Sequence, residues 1–213
     1  MLLDGFVSRE SYMSNNRKEE IVLTTLELAA QKGLANVSMN MIAGKIGIKK
    51  PSIYKHFTSK EEIVEAMYEH LRKQAKEKAN IKPIDYSTFF KGKTALDVLQ
   101  MVVHGYIQMN HQDQMLNFYK VIYSERSLEP MAARIVAEET KKMIIATKQL
   151  FYAMEVHKML HFKNADMSAI SFAMTIHGLM DYELDQSNGG CNDTTDKNLL
   201  EDYLKWFCEE NTV

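Results

Sequence analysis

Only three prolines and nine glycines interrupt the 213 residues. The residues that break helices are scarce, and Ala, Leu, Ile, Met, Lys and Glu, which propagate them, fill most segments. An all-helical fold follows. Cysteine is equally sparse: Cys191 and Cys208 stand at no metal-ligand spacing and are too few for a disulfide framework, so nothing points to an oxidising compartment. No apolar run approaches the roughly 18 residues that a membrane-spanning helix needs. The opening stretch carries Asp4, Arg9 and Glu10 where a signal peptide would be apolar, so the expected location is the cytoplasm, with Met13 as serviceable a start as Met1. A Gly-rich phosphate loop, a Gly-x-Ser-x-Gly elbow and a recognisable Cys-His pairing are all missing, which removes the enzyme classes built on them.

What the chain does have is 46% hydrophobic residues, enough for a real core in one or two soluble domains, and an uneven charge. The overall balance is −2, yet residues 17–60 hold eight Lys or Arg against three Glu, while residues 61–213 hold 17 basic against 23 acidic residues. A basic segment joined to an acidic body suits a polyanion at one end only.

The first 16 residues read as a polar, flexible arm. From Arg17 the apolar spacing is helical through Ile21, Leu26 and Ala29, and stops at Gly33. Ser38 reads as the N-cap of a short helix holding Ile42 and Ile46 and closed by Gly47. A third helix starts near Lys50, with Pro51 in its first turn where a missing N–H costs nothing, and runs to about Phe57. Ser59 with Glu62 offers a capping box for a longer helix, about 59–80, carrying Ile63, Met67 and Leu71. After a loop through Ile81–Phe90, helices are expected near 94–111, 113–126, 130–157, 166–186 and 195–210, about nine in all. Residues 17–57 thus form three short helices, the last two joined by a tight turn at Gly47-Ile48-Lys49. This is a helix-turn-helix.

In that motif the second helix enters the major groove and the preceding one aims its N-terminus at phosphate. Ile53 and Phe57, four apart, pack inward against Ile42 and Ile46, leaving Lys49, Lys50, Ser52, Tyr54, Lys55 and His56 outside. Ammonium groups, a serine hydroxyl and a phenol are the donors that phosphate and base edges accept. The run Ala29-Ala30, Gly33, Ser38, Ile42-Ala43, Gly47-Ile48, Ile53-Tyr54-Lys55-His56-Phe57, Ser59-Lys60-Glu61 resembles the N-terminal domain of the TetR/AcrR family of transcriptional regulators. The resemblance covers about 45 residues. It implies that Tyr54 and Lys60 contact phosphate, that Ser38 and Asn40 face the backbone at a helix end, and that Lys49, Lys50, Pro51, Ser52, Lys55 and His56 approach the bases. Two positions depart from the family pattern: Lys49 where Ser or Thr is usual, and Pro51 where a small residue is common. A packed His56 is the alternative to a base-reading one.

For the rest of the chain the resemblance implies architecture alone: a helical effector-binding body whose last two helices pair with their counterparts in a homodimer. The expected division is 1–16 arm, 17–62 DNA-binding domain and 63–213 effector-binding and dimerisation domain. The apolar stripes of the last two helices, with Ile176, Met180, Leu199, Tyr203, Leu204, Trp206 and Phe207, need a partner surface in their own domain or on a second subunit. A symmetric dimer places its recognition helices roughly 34–36 Å apart, matching a palindromic operator in double-stranded DNA. Fifteen methionines suit an adaptable apolar pocket as well as ordinary core gaps. Met101, Met109, Met143 and Met174, with the polar His104, Tyr119, Tyr123 and His177, are the candidates for holding a small, largely apolar effector. The reading is a non-enzymatic regulator, a repressor by family expectation, with no cofactor, no bound metal and no membrane partner. Two alternatives stand beside it: a DNA-binding dimer of architectural role without an effector, and a metal-binding helical-bundle enzyme. The second would use His157 and His161, four apart, with Glu155 nearby. Against it, no pair of Glu-x-x-His helices is present.

Overall fold

The computed structural model describes residues 9–79, 84–111, 113–190 and 198–212. Cys191 and the first eight residues of the expected arm lie outside them. The described chain is all-α: α1 Arg9–Lys32, a 3-10 turn Leu34–Asn36, α2 Met39–Lys45, α3 Lys50–Ile53, α4 Lys60–Ala79, α5 Tyr86–Phe90, α6 Ala95–Asn110, α7 Asp113–Glu125, α8 Pro130–Val156, α9 Ala165–Gly189 and α10 Leu199–Glu210. No described helix is long and apolar enough to cross a membrane.

Local chemistry explains most boundaries. The Ser38 hydroxyl accepts from the Met41 N–H and caps α2. Pro130 opens α8 where its missing N–H is harmless. The Asn164 side chain accepts from the Met167 N–H at the start of α9. Four expectations are corrected. The first helix starts at Arg9, so part of the expected arm is helical. A short helix, α5, lies within the expected loop, capped by Asp85, whose carboxylate accepts from the Ser87 N–H. The ninth helix continues through Ser187 and ends only where Gly190 takes up φ 65°. The third helix is one turn long, four residues, and the chain from Tyr54 to Phe57 continues as a turn in which the Phe57 N–H still donates to the Ile53 carbonyl at 3.0 Å.

The chain forms two compact units, one of residues 1–80 and 111–136, the other of residues 81–110 and 137–213. In the first, α1 packs on α2, α4 and α7. Ile21, Val22, Leu26 and Ala29 of α1, Ile42 of α2, Ile53 of α3, Ile63, Met67 and Leu71 of α4 and Phe118 and Ile122 of α7 are all buried there. The second unit centres on stacked rings: Phe151 lies 4.6 Å from Phe162, 5.3 Å from Phe172 and 5.5 Å from Phe207. Val98, Leu99 and Val103 of α6, Ile176 of α9 and Leu204 of α10 complete this core.

That core divides the stripe that the sequence offered to a partner. Leu204 is 0% exposed, and Ile176 and Phe207 are buried within their own unit, so a charge at any of them would break the unit itself. Met180 and Tyr203 are half-buried against the same core. Leu199 and Trp206, the latter 53% exposed, remain on the surface. The proposed pair of metal-binding imidazoles is also taken apart. Helix α8 ends at Val156, Lys158 turns the chain with φ 56°, and His157 and His161 share no helix face. The His157 ring meets Phe90 edge-on at 5.2 Å, while His161 Nδ1 lies 3.7 Å from Glu155.

Candidate nucleic-acid interface

The helix-turn-helix is held from beneath by apolar side chains and from its ends by hydrogen bonds. Ile42, Ile53 and Phe57 are buried, and Ile46 is half-buried. Gly47, at φ 71°, ends α2 in a left-handed conformation that L side chains adopt only at a cost. Around it the Ile48 N–H donates to the Ala43 carbonyl at 2.9 Å and the Gly47 N–H to the Gly44 carbonyl at 3.4 Å. This pair of bonds is the Schellman closure of a helix. It fixes the angle at which α3 leaves α2. The turn is tied to α1 as well, because Lys45 reaches Glu27 at 2.5 Å.

On the outer side Lys49, Lys50, Tyr54 and Lys55 are exposed, and Ser52 and His56 are half-buried. Lys49 caps α3 in an extended conformation without a side-chain bond, so its ammonium stays outside the helix it precedes. Pro51 stands beside it in the first turn, exposed. The Lys50 ammonium lies 5.7 Å from the centre of the Tyr54 ring, a cation–π distance that leaves the phenol at the surface. Ser38 and Asn40 are exposed at the start of α2. The Ser38 oxygen is occupied as an acceptor by its capping bond, while its O–H remains a donor.

Lys60 is placed differently from the other cations. Its ammonium donates to the Leu34 carbonyl at 3.1 Å, tying the start of α4 to the 3-10 turn. An ammonium has three donors, so a phosphate contact there must share the group with this bond. The neighbouring cap also departs from the expected pairing. The Glu62 N–H donates to the Ser59 hydroxyl, but the Glu62 carboxylate accepts from the N–H and hydroxyl of Thr58, one residue earlier. Those bonds hold Glu62 below the usual carboxylate range.

His56 is a titratable group within this surface. Burial first, then the charges of Lys18, Arg17 and Lys55, pull its pKa below the ordinary 6.5. The folded protein therefore binds this proton less well than the unfolded chain does. The contribution of His56 to stability is full above pH 6.5 and declines as the pH falls below it. Denaturant unfolding at pH 7.5 and at pH 5.5 should show a smaller acid-induced loss in His56→Gln than in the parent. An identical loss in both would remove His56 from this account.

Of the residues expected to meet an effector, Tyr119 and Tyr123 are brought together by a ring contact, and the others meet different neighbours. Tyr119 and Tyr123 lie in the first unit with their rings 6.3 Å apart, and Arg126 sits over Tyr123 at 4.5 Å. In the second unit His104 lies 2.7 Å from Glu201, which also accepts from Gln100, so His104 serves to join α6 to α10. His177 lies 3.8 Å from Asp181 on its own helix. Met101 and Met174 are exposed, and Met109 and Met143 are half-buried.

Comparison with known proteins adds to this geometry. Residues 21–67 match the sequence model of the bacterial regulatory proteins of the tetR family. An HTH-type transcriptional regulator of Bacillus subtilis, YerO, is 42% identical over 50 residues, which span 24% of this chain and 17% of that protein. A structure from Mesorhizobium loti, assigned to the TetR family of transcriptional regulators, superposes with a TM-score of 0.68 at 20% identity, covering 94% of this chain and 98% of the other. The flavonoid-responsive regulator FrrA does so with a TM-score of 0.65 at 21% identity, over 92% and 98% of the two chains. At such identity these structures speak to the fold. Taken together, residues 21–67 carry the helix-turn-helix segment of the tetR-family sequence model, and the fold along almost the whole length is similar to that of solved transcriptional regulators.

Proposed function

We propose that the protein is a sequence-specific DNA-binding transcriptional regulator: a homodimeric repressor, released from a palindromic operator by a small, largely apolar effector. The observation that carries the reading is the rigid α2–turn–α3 unit, closed at Gly47, with four exposed groups (Lys49, Lys50, Tyr54 and Lys55) above a buried Ile42–Ile53–Phe57 floor. Such a surface offers charge for phosphate and hydroxyl or ammonium donors for base edges. Residues 17–62 would read DNA, and residues 63–213 would bind the effector and the second subunit. Two relatives by fold support the effector: FrrA is named for its response to flavonoids, and a transcriptional regulator from Saccharomonospora viridis was crystallised in complex with choline.

The test is selection of bound sequences from a random duplex library, followed by titration of the selected duplex with a panel of lipophilic compounds. Lys50→Ala and Ser52→Ala should alter the preferred bases, at about 1–3 kcal/mol for each lost base contact. Tyr54→Phe should weaken every duplex alike. A released complex should show an effector coupling of about 1–3 kcal/mol, roughly 5- to 150-fold in affinity. Failure to enrich any sequence would overturn sequence-specific reading, and an enriched site that no compound releases would favour the architectural alternative.

A further inference from the structure

We infer that Lys18, on the first helix and outside the helix-turn-helix, is a further contact to the DNA backbone, extending the phosphate-binding surface from the recognition turn onto α1. This rests on the DNA-binding reading above and adds a residue to it.

Three placements carry the inference. The Lys18 ammonium lies 5.6 Å from the centre of the Phe57 ring, the residue that ends the recognition turn, so the charge sits over the far end of the turn that presents Tyr54, Lys55 and His56. The side chain is exposed, and among the described residues no carboxylate comes within ion-pair distance of it. Its neighbour Arg17 differs, being paired with Glu20 at 2.6 Å. Glu62 feels the Lys18 charge, but its carboxylate is already engaged with the Thr58 N–H and hydroxyl.

The distribution of charge around α1 points the same way. At 3.6 residues per turn each step rotates roughly 100°, so Glu20 and Glu27 fall on the side of the helix away from Lys18. Those two carboxylates, with Glu19, line a groove of ≈ 550 Å³ shared with Gln114 and Asn117 of α7. These carboxylates of α1 border α7, and Glu27 and Glu20 are also paired with Lys45 and Arg17, while the Lys18 ammonium lies over Phe57 at the end of the recognition turn. That Lys18 and Arg17 help to keep His56 from taking a proton agrees with a positive potential gathered there. A phosphate is the group that such a strip would gain most from meeting, because each neutralised phosphate releases condensed counterions.

The experiment measures affinity for a random-sequence duplex of about 30 base pairs by fluorescence anisotropy between 50 and 200 mM salt. Lys18→Gln should lower the slope of log affinity against log salt by roughly 0.9, the value for one lost contact. Lys18→Arg should keep the parental slope, since it retains the charge. Lys205→Gln, on α10 in the other compact unit, removes the same charge elsewhere and should also leave the slope unchanged. An unaltered slope in Lys18→Gln, or an equal drop in Lys205→Gln, would overturn the inference while leaving the DNA-binding reading intact. A parent protein that binds no duplex at all would instead overturn that reading. Because Lys18 is exposed, the thermal midpoint of Lys18→Gln should match that of Lys18→Arg, which separates a lost contact from a lost fold.

Discussion

Phe207→Ala is expected to cost about 3–5 kcal/mol of stability, the usual range for removing a buried aromatic ring. Phe207 is buried at the point where α10 meets the rest of its unit, with Phe172 at 4.8 Å, Phe151 at 5.5 Å, Tyr203 at 6.0 Å and Phe162 at 6.2 Å. Truncation would leave a void among rings that cannot close it by small shifts, so the loss combines burial with the cavity left behind. The adjacent Trp206 makes the control. It is the larger side chain, but it is 53% exposed and has Tyr203 as its ring neighbour at 5.8 Å. Trp206→Ala should therefore cost under about 1.5 kcal/mol in a dilute monomeric sample, since only part of its surface leaves water on folding. Urea unfolding with both variants at one temperature gives the comparison through the midpoint, provided the slopes agree. Equal losses at the two positions would contradict the placement of the α10 stripe.

That contrast also shows what a sequence can and cannot convey here. Helical spacing reveals that α10 has a broad apolar stripe, but the spacing of Leu204, Trp206 and Phe207 says nothing about what covers each of them. The answer depends on Phe151 and Phe172, tens of residues away. Where the chemistry is local, the reading from residues goes further. Ser38 caps α2 through a bond three residues long, and Gly47 ends it through two bonds among Ala43, Gly44, Gly47 and Ile48. Pro130 and Asn164 mark the starts of α8 and α9 in the same way.

The pieces that escaped are of two kinds. Helix α5 is five residues long, too short for apolar periodicity, and its one signal was Asp85 ahead of an aromatic group, Tyr86, Phe89 and Phe90, that packs into the second core. The bond from Lys60 to the Leu34 carbonyl spans 26 residues. Charge at Lys60 was visible, but its engagement was not, because a long side chain's direction is set by the backbone group that reaches it. The Lys18 contact proposed above is the converse case. It lies before the recognisable motif, and only the packing of α1 brings it over Phe57.

The second large effect belongs to association. Both terminal helices leave apolar side chains at the surface after their own core is filled: Met167 and Met174, seven apart on α9, and Leu199 and Trp206, seven apart on α10. In the proposed symmetric dimer each such residue occurs twice in one interface, so a single substitution counts double. Covering the exposed half of an indole contributes about 1–2 kcal/mol per protomer. Trp206→Glu should then weaken the dimer by about 2–4 kcal/mol, roughly 30- to 700-fold in its dissociation constant, while leaving thermal stability near that of Trp206→Ala. Because a palindrome is read by two recognition turns held at a fixed spacing, its affinity should fall far more than the loss of one phosphate contact explains, whereas a single half-site should be bound as before. Sedimentation at micromolar concentration, paired with anisotropy on whole-site and half-site duplexes, gives both readings. A parent protein that sediments as a monomer would sink the dimer, and a Trp206→Glu variant that associates like its parent would move the interface off this face of α10.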